Sequence, residues 1–394
     1  MNGLTSLKVK NYRSLADISI DLKSLNVLFG PNGSGKSTLL DTIWFFRDCA
    51  INGVELASSK RSHGIGLLGD GAEDGAQISI CLADDKVEYS LSFGLSEGRI
   101  ESFAGEQLRS KSRDVNLIKR SVGSDKASLF DATMDQSATF TLREPEKLSL
   151  SRYLDYDAKN NDAVKLDRLL HFVRFYHTRS FFLHRLKQQG SEGSYETRLS
   201  DRGDNAWSVL RNLHDKRSVD DRFDTIMRFM RESFPSFDVL VLEQTGANSV
   251  YASILEKGRR KAIRASGVSD GHLQMLLLLT ALFSEGDRDA VILFDEPEIS
   301  LHPWALAILA KAIKLAADQW NKQVFVATHS PVLVSQFDAD NILAMEIDEG
   351  RSRPIRLSQM EEITDLLEEY GAGPLYMSEM VAPQSKSLYE PEAD

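Results

Sequence analysis

Residues 29–40 read FGPNGSGKSTLL. Gly30-Pro31-Asn32-Gly33-Ser34-Gly35-Lys36-Ser37 fits G-x-x-x-x-G-K-[ST] at every fixed position, the pattern of a loop that grips nucleotide phosphates. Glycines let successive backbone N–H groups turn inward on phosphate oxygens, and the loop empties into a helix whose N-terminal dipole favours anions. On this reading Asn32, Gly33, Ser34, Gly35 and Thr38 frame the phosphates, Lys36 neutralises the β and γ phosphates, and Ser37 completes a Mg2+ shell. The flanks agree. "LNVLFG" (25–30) is a strand, and "KSTLLDTIWFFRDCA" (36–50) places Leu39, Leu40, Ile43, Trp44 and Phe46 near helical spacing with no internal Gly or Pro.

Such a loop needs an acidic partner to hold metal and prepare a water. "VILFDEPE" (291–298) supplies four apolar residues, then Asp295 and Glu296 at the strand's carboxyl end, where ligands of open α/β sheets collect. Asp295 is suited to contact Mg2+, directly or through water, and Glu296 to orient and polarise the attacking water. The alternative for these adjacent carboxylates is helix capping. In "SGVSDGHLQ" (266–274), Ser269-Asp270-Gly271 stands just before an apolar helix, so its hydroxyl and exposed N–H groups form a second anion site, or in the plainer reading an ordinary N-cap. The chain thus carries two phosphate-binding helix starts and one lysine motif. A symmetric head-to-tail pair, in which each second site completes a nucleotide held by the other copy, is the economical arrangement. "VFVATHSP" (324–331) sets His329 directly after a buried strand, where it can donate to the γ-phosphate or the lytic water.

The strand and helix alternation of the C-terminal part predicts a parallel sheet covered on both faces. The expected class is α/β: a P-loop fold with a mixed central sheet and helices on both faces. An antiparallel β flap is predicted from the two-residue alternation over about 76–104. The expected divisions are 1–105 (first part of the head, with the flap), 106–240 (a mainly helical insert), 241–377 (second part of the head) and 378–394 (a polar tail). "FYHTRSFFLHRLKQQ" (175–189) combines aromatic and basic residues, suited either to DNA or a partner, or to core packing with a solvated basic edge.

The 394 residues are 42% hydrophobic and 27% charged, with a net charge of −11, so nucleic-acid contact would need a local patch such as "KSRDVNLIKR" (111–120) or "KGRRKAIR" (257–264). With only Cys49 and Cys81, neither a disulfide framework nor a structural zinc site is expected. No run of about 18 apolar residues is uninterrupted by charge and the first residues lack a cleavage-like site, so a cytoplasmic protein without membrane contact is expected.

These motifs in this order, with "NYRSL" (11–15) and "DEPEISLHP" (295–303), resemble the ATP-binding-cassette-type AAA ATPases, the group of predicted ATPases related to RecF, the SMC heads and the ATPase part of the OLD proteins. The match covers roughly residues 1–50 and 240–345. The resemblance implies an ATPase whose heads pair around ATP and Mg2+ and separate after hydrolysis. Ser269 and Gly271, with Asp270, then correspond to the signature that reaches across the dimer, Glu296 to the catalytic base, His329 to the switch histidine, and Arg13 to a basic residue near the nucleotide. The signature departs from L-S-G-G-Q, and the metal-coupling glutamine is unassigned, with Gln188 and Gln189 as candidates. Glu298 and His302 belong to the shared phrase and are expected to serve the dimer interface or loop geometry, with metal binding the lesser alternative.

The implied role is a homodimer, or a larger assembly, whose closure gates double-stranded DNA or a separate effector such as a nuclease or toxin, in phage defence or DNA maintenance. A transporter's energising subunit fits less well, because about 230 residues separate Lys36 from Ser269. A slowly hydrolysing, nucleotide-controlled scaffold differs from the leading reading in turnover alone.

Overall fold

Five apolar-rich strands and one arginine-rich strand build the central sheet: β1 (Leu25–Phe29), β2 (Val173–His177), β3 (Ala290–Asp295), β4 (Lys322–Thr328), β5 (Ile342–Asp348) and, arginine-rich, β6 (Arg351–Arg356). Their order is β2-β3-β4-β1-β5-β6. The first five run parallel and β6 is antiparallel to β5, so the sheet is mixed, as expected. The computed structural model describes the chain except residues 1–2, 70–71, 74, 157–159, 246–247, 287–288, 361–365, 367–369, 379 and 384–394. Most of the expected polar tail therefore lies outside the described residues.

Successive side chains of a strand point to opposite faces, and here the two faces feed two separate apolar clusters. Val27, Phe29, Ile292, Phe294, Val324 and Val326 join one. Leu28, Val291, Leu293, Phe325, Ala327 and Leu343 join the other. The first face is covered by α2 (Asp270–Phe283) and α3 (Pro303–Gln319), whose buried leucines and alanines belong to the same cluster. The second face is covered by α1 (Lys36–Asn52). A helix buried on more than one side has little polar surface to spare. Phe45 and Phe46 of α1 accordingly pack away from the central sheet on Phe93 and Tyr89, with ring centroids 5.2 and 5.1 Å apart.

Phe93 and Tyr89 belong to an eight-stranded antiparallel sheet that sandwiches α1. The flap hairpin lies in it (Ile78–Ala83 with Val87–Phe93), beside the N-terminal strands Ser6–Tyr12 and Leu15–Asp21. The sheet continues beyond residue 105, where a helical insert is expected from the sequence, through Gly105–Ser110, Val115–Arg120, Lys126–Asp131 and Gln136–Thr141. The last of these is the edge strand and is exposed at nearly every position, so it has no apolar alternation to read. Helices occupy much of residues 149–233, but Val173–His177 returns to the central sheet as β2.

Candidate functional site

Parallel strands deliver their carboxyl ends to one edge of a sheet. That edge brings together the loop after β1, Asp295 and Glu296 at the end of β3, and His329 after β4. Gly35 is the N-cap of α1 in a left-handed conformation (φ 92°), and a Cβ there would overlap the Ser352 hydroxyl, so both backbone shape and crowding call for glycine. The N-terminus of α1 has no side-chain cap and no acidic residue in its first turn, leaving its leading N–H groups available to an anion.

Lys36 is only 5% exposed. Its ammonium donates to the carbonyls of Gly30 (2.8 Å) and Pro31 (2.7 Å) and to the Ser34 hydroxyl (3.4 Å). Burial lowers its pKa to about 8, against the opposing pull of Asp295, Glu296 and Glu298. The Ser37 hydroxyl donates to Asp295 Oδ1 at 2.9 Å, so the two hard oxygen donors stand side by side. Asn32 and Gly33 are exposed on the loop, Ser34 is buried beneath it, and Thr38 follows in the first turn.

Glu296 sits in the left-handed region with φ 53°, a costly conformation for a residue with a Cβ, and its N–H donates to Ala327 O at 2.8 Å. His329 Nε2 lies 3.9 Å from Glu296 Oε1. Burial, then nearby Lys36, lowers the His329 pKa and favours the neutral imidazole. The His329 N–H donates to Glu298 Oε1 at 2.8 Å, and burial raises the pKa of that carboxyl. Glu298 therefore shapes the turn that presents His329. His302 caps α3 through Nδ1, accepting from Trp304 N at 3.3 Å, in keeping with loop geometry.

Three further residues that carry no motif of their own join the site. His177 Nδ1 stands 3.0 Å from Asp295 Oδ2. The Thr178 hydroxyl donates to the backbone carbonyls of Asp295 and Glu296. Arg179 donates to Glu296 Oε2 at 2.6 Å. All three follow from β2 pairing in parallel with β3, which sets His177 opposite Asp295. The aromatic-basic segment 175–189 held this signal, but only strand pairing reveals what it faces. Gln274 donates its side-chain amide to Thr178 O at 3.3 Å, while the candidates Gln188 and Gln189 stand at the end of the short helix Leu183–Gln188.

Ser269 caps α2, accepting from His272 N at 3.4 Å, and its hydroxyl lies 2.7 Å from His272 Nδ1. Asp270 is paired with Lys187. Gly271 approaches the loop after the acidic pair so closely that a Cβ would come within 2.6 Å of Ser300 O. Within one chain the bonds of Ser269 and Asp270 thus run to His272 and Lys187 rather than to the phosphate loop. Arg13 pairs with Asp41 of α1 at 3.6 Å and lines a groove with Ser37, Trp44, Arg61 and His177.

A family model described as "AAA domain, putative AbiEii toxin, Type IV TA system" matches residues 25–335. The Septu protein PtuA of Bacillus thuringiensis is 21% identical over 362 residues, which span 90% of this chain and 78% of PtuA. A crystal structure of an SMC head bound to the C-winged helix domain of ScpA superposes with a TM-score of 0.57 at 15% identity, over 90% of this chain and 97% of that one. The SMC head with a coiled coil and joint from Pyrococcus yayanosii gives a TM-score of 0.50 at 14% identity, over 93% of this chain and 99% of that one. At these identities the two structures share the fold.

Proposed function

The chain belongs to the AAA-domain family matched over residues 25–335 and shares the fold of SMC heads, and from that premise we propose that it is an ATPase that binds ATP with Mg2+, hydrolyses it, and pairs with a second copy around the bound nucleotide. The convergence of Lys36, Ser37, Asp295, Glu296 and His329 on one sheet edge carries this reading. The residues fit the ligand: an uncapped helix start, a buried cation and paired hard oxygen donors match a metal-bound triphosphate. Ser37 and Asp295 would hold Mg2+, which when bound neutralises charge on the β and γ oxygens. Asn32 to Thr38 would bind phosphates and Arg13 would border the nucleotide. Glu296 orients and polarises water, and neutral His329 reports on the terminal phosphate.

Ser269, Asp270 and Gly271 at the start of α2 would cap the triphosphate held by the second copy, giving a homodimer with two shared nucleotides. Closure of that dimer would gate a separate effector, a nuclease or toxin, or double-stranded DNA. The likeness to a Septu protein favours antiviral defence as the setting. No helix among the described residues is long and apolar enough to cross a membrane. Glu296→Gln is expected to retain ATP and accumulate as a dimer in light scattering, with turnover reduced about 100-fold or more. Adding Ser269→Arg should return it to monomer. A Glu296→Gln chain that stays monomeric with saturating ATP would contradict the shared-nucleotide dimer.

A further inference from the structure

The side chain of Arg179 is 74% exposed, yet its Nε and Nη2 both stand 2.6 Å from Glu296 Oε2. A carboxylate oxygen that already accepts two guanidinium N–H groups has fewer lone pairs left to accept from a water. An exposed ion pair of this kind contributes little to stability, so it can be opened readily. Its attachment is less loose than its exposure suggests. Arg179 stands in the turn Thr178–Ser180, and the Thr178 hydroxyl ties that turn to the backbone of Asp295 and Glu296. On the other side, Gln274 of α2, 1% exposed, donates to the Thr178 carbonyl. The helix that begins at Ser269 is therefore joined by hydrogen bonds to the turn that carries Arg179.

We infer that Arg179 is a positioning residue that withholds Glu296 from water, and that displacement of α2 releases it. The inference rests on the reading of Glu296 as the water-polarising group. The serine turn then does more than cap a nucleotide. When it meets a triphosphate on the other copy, the shift of α2 passes through Gln274 and Thr178 to the chain's own Glu296. Each copy becomes competent when it has engaged its neighbour.

Steady-state ATP turnover of the full chain, measured across ATP concentrations, tests this. Arg179→Ala is expected to raise kcat about three- to tenfold with KM unchanged, a modest share of what a general base contributes. Arg179→Lys, which keeps one charged donor group, should fall between the variant and the parent. A tenfold loss of kcat in Arg179→Ala would overturn the inference by assigning Arg179 to the phosphate, and an unchanged kcat would overturn it by making the pair incidental. Turnover in Glu296→Gln equal to the parent's would identify the reading of Glu296 itself as the failure. Because Arg179 is exposed, the fold is expected to survive both substitutions.

Discussion

Lys36 is a buried cation held among neutral oxygens, and its charge carries a desolvation cost in the folded chain. Its folded value, lowered to about 8, lies below the ordinary 10.5. Between those values the unfolded chain holds a proton that the folded chain lacks, so folding gains stability as pH rises through that window. Thermal unfolding of the parent and of Lys36→Met should therefore diverge, the parent gaining relative to the variant from pH 8 to 10.5. Equal pH slopes would show that Lys36 is solvated. At Glu298, burial raises the pKa of the carboxyl and Oε1 accepts from His329 N–H, so Glu298→Gln, which can keep a carbonyl oxygen in that place, is expected to keep parental stability, whereas Glu298→Ala removes the acceptor. The alanine variant should lose about 1 kcal/mol by chemical denaturation, the net contribution of a lost part-buried hydrogen bond.

Gly271 gives the clearest test for a single element. Replacing a helical glycine by alanine ordinarily stabilises by up to about 1 kcal/mol. Here the new Cβ would come within 2.6 Å of Ser300 O, a backbone atom that cannot swing aside as a side chain would. Gly271→Ala should therefore lower the denaturation midpoint and reduce turnover; a stabilised variant would show that the start of α2 and the loop at Ser300 move independently. The phosphate loop, α1, β3 and β4 are legible in sequence because each carries a continuous apolar pattern beside a fixed motif. The strands between 105 and 141 are not: Gln136–Thr141 is an exposed edge, and in Gly105–Ser110 the buried positions include Gly105, Glu106 and Ser110, which give no apolar alternation. Arg179 is hidden for a different reason, since its contact with Glu296 joins residues 117 apart in sequence and depends on the pairing of β2 with β3.

For the whole molecule, the proposed pairing makes each hydrolytic site composite, with the lysine loop from one copy and the serine turn from the other. Two inactive chains should then complement one another. Lys36→Met keeps an intact serine turn and Ser269→Arg keeps an intact lysine loop, so a mixed dimer contains one complete site. With Arg179→Ala in both chains, so that Glu296 is free without engagement of the chain's own serine turn, equal mixtures are expected to regain about a quarter of the turnover of Arg179→Ala alone, because random pairing in a twofold dimer makes half the dimers mixed and each then works at one of two sites. A mixture no more active than its components would exclude composite sites.

The central sheet also separates the interior into two compartments that share backbone but few side chains, with Val326 and Phe294 on one side and Phe325 and Leu293 on the other. Interiors are close-packed, so a change of volume is felt by the side chains it touches. In this chain those neighbours stand on one side of the sheet. A lineage can therefore remodel the leucine-rich layer around α2 while the aromatic layer around α1 stays as it was, and the edge that carries Asp295 and His329, held by hydrogen bonds between strands, keeps its place through either change.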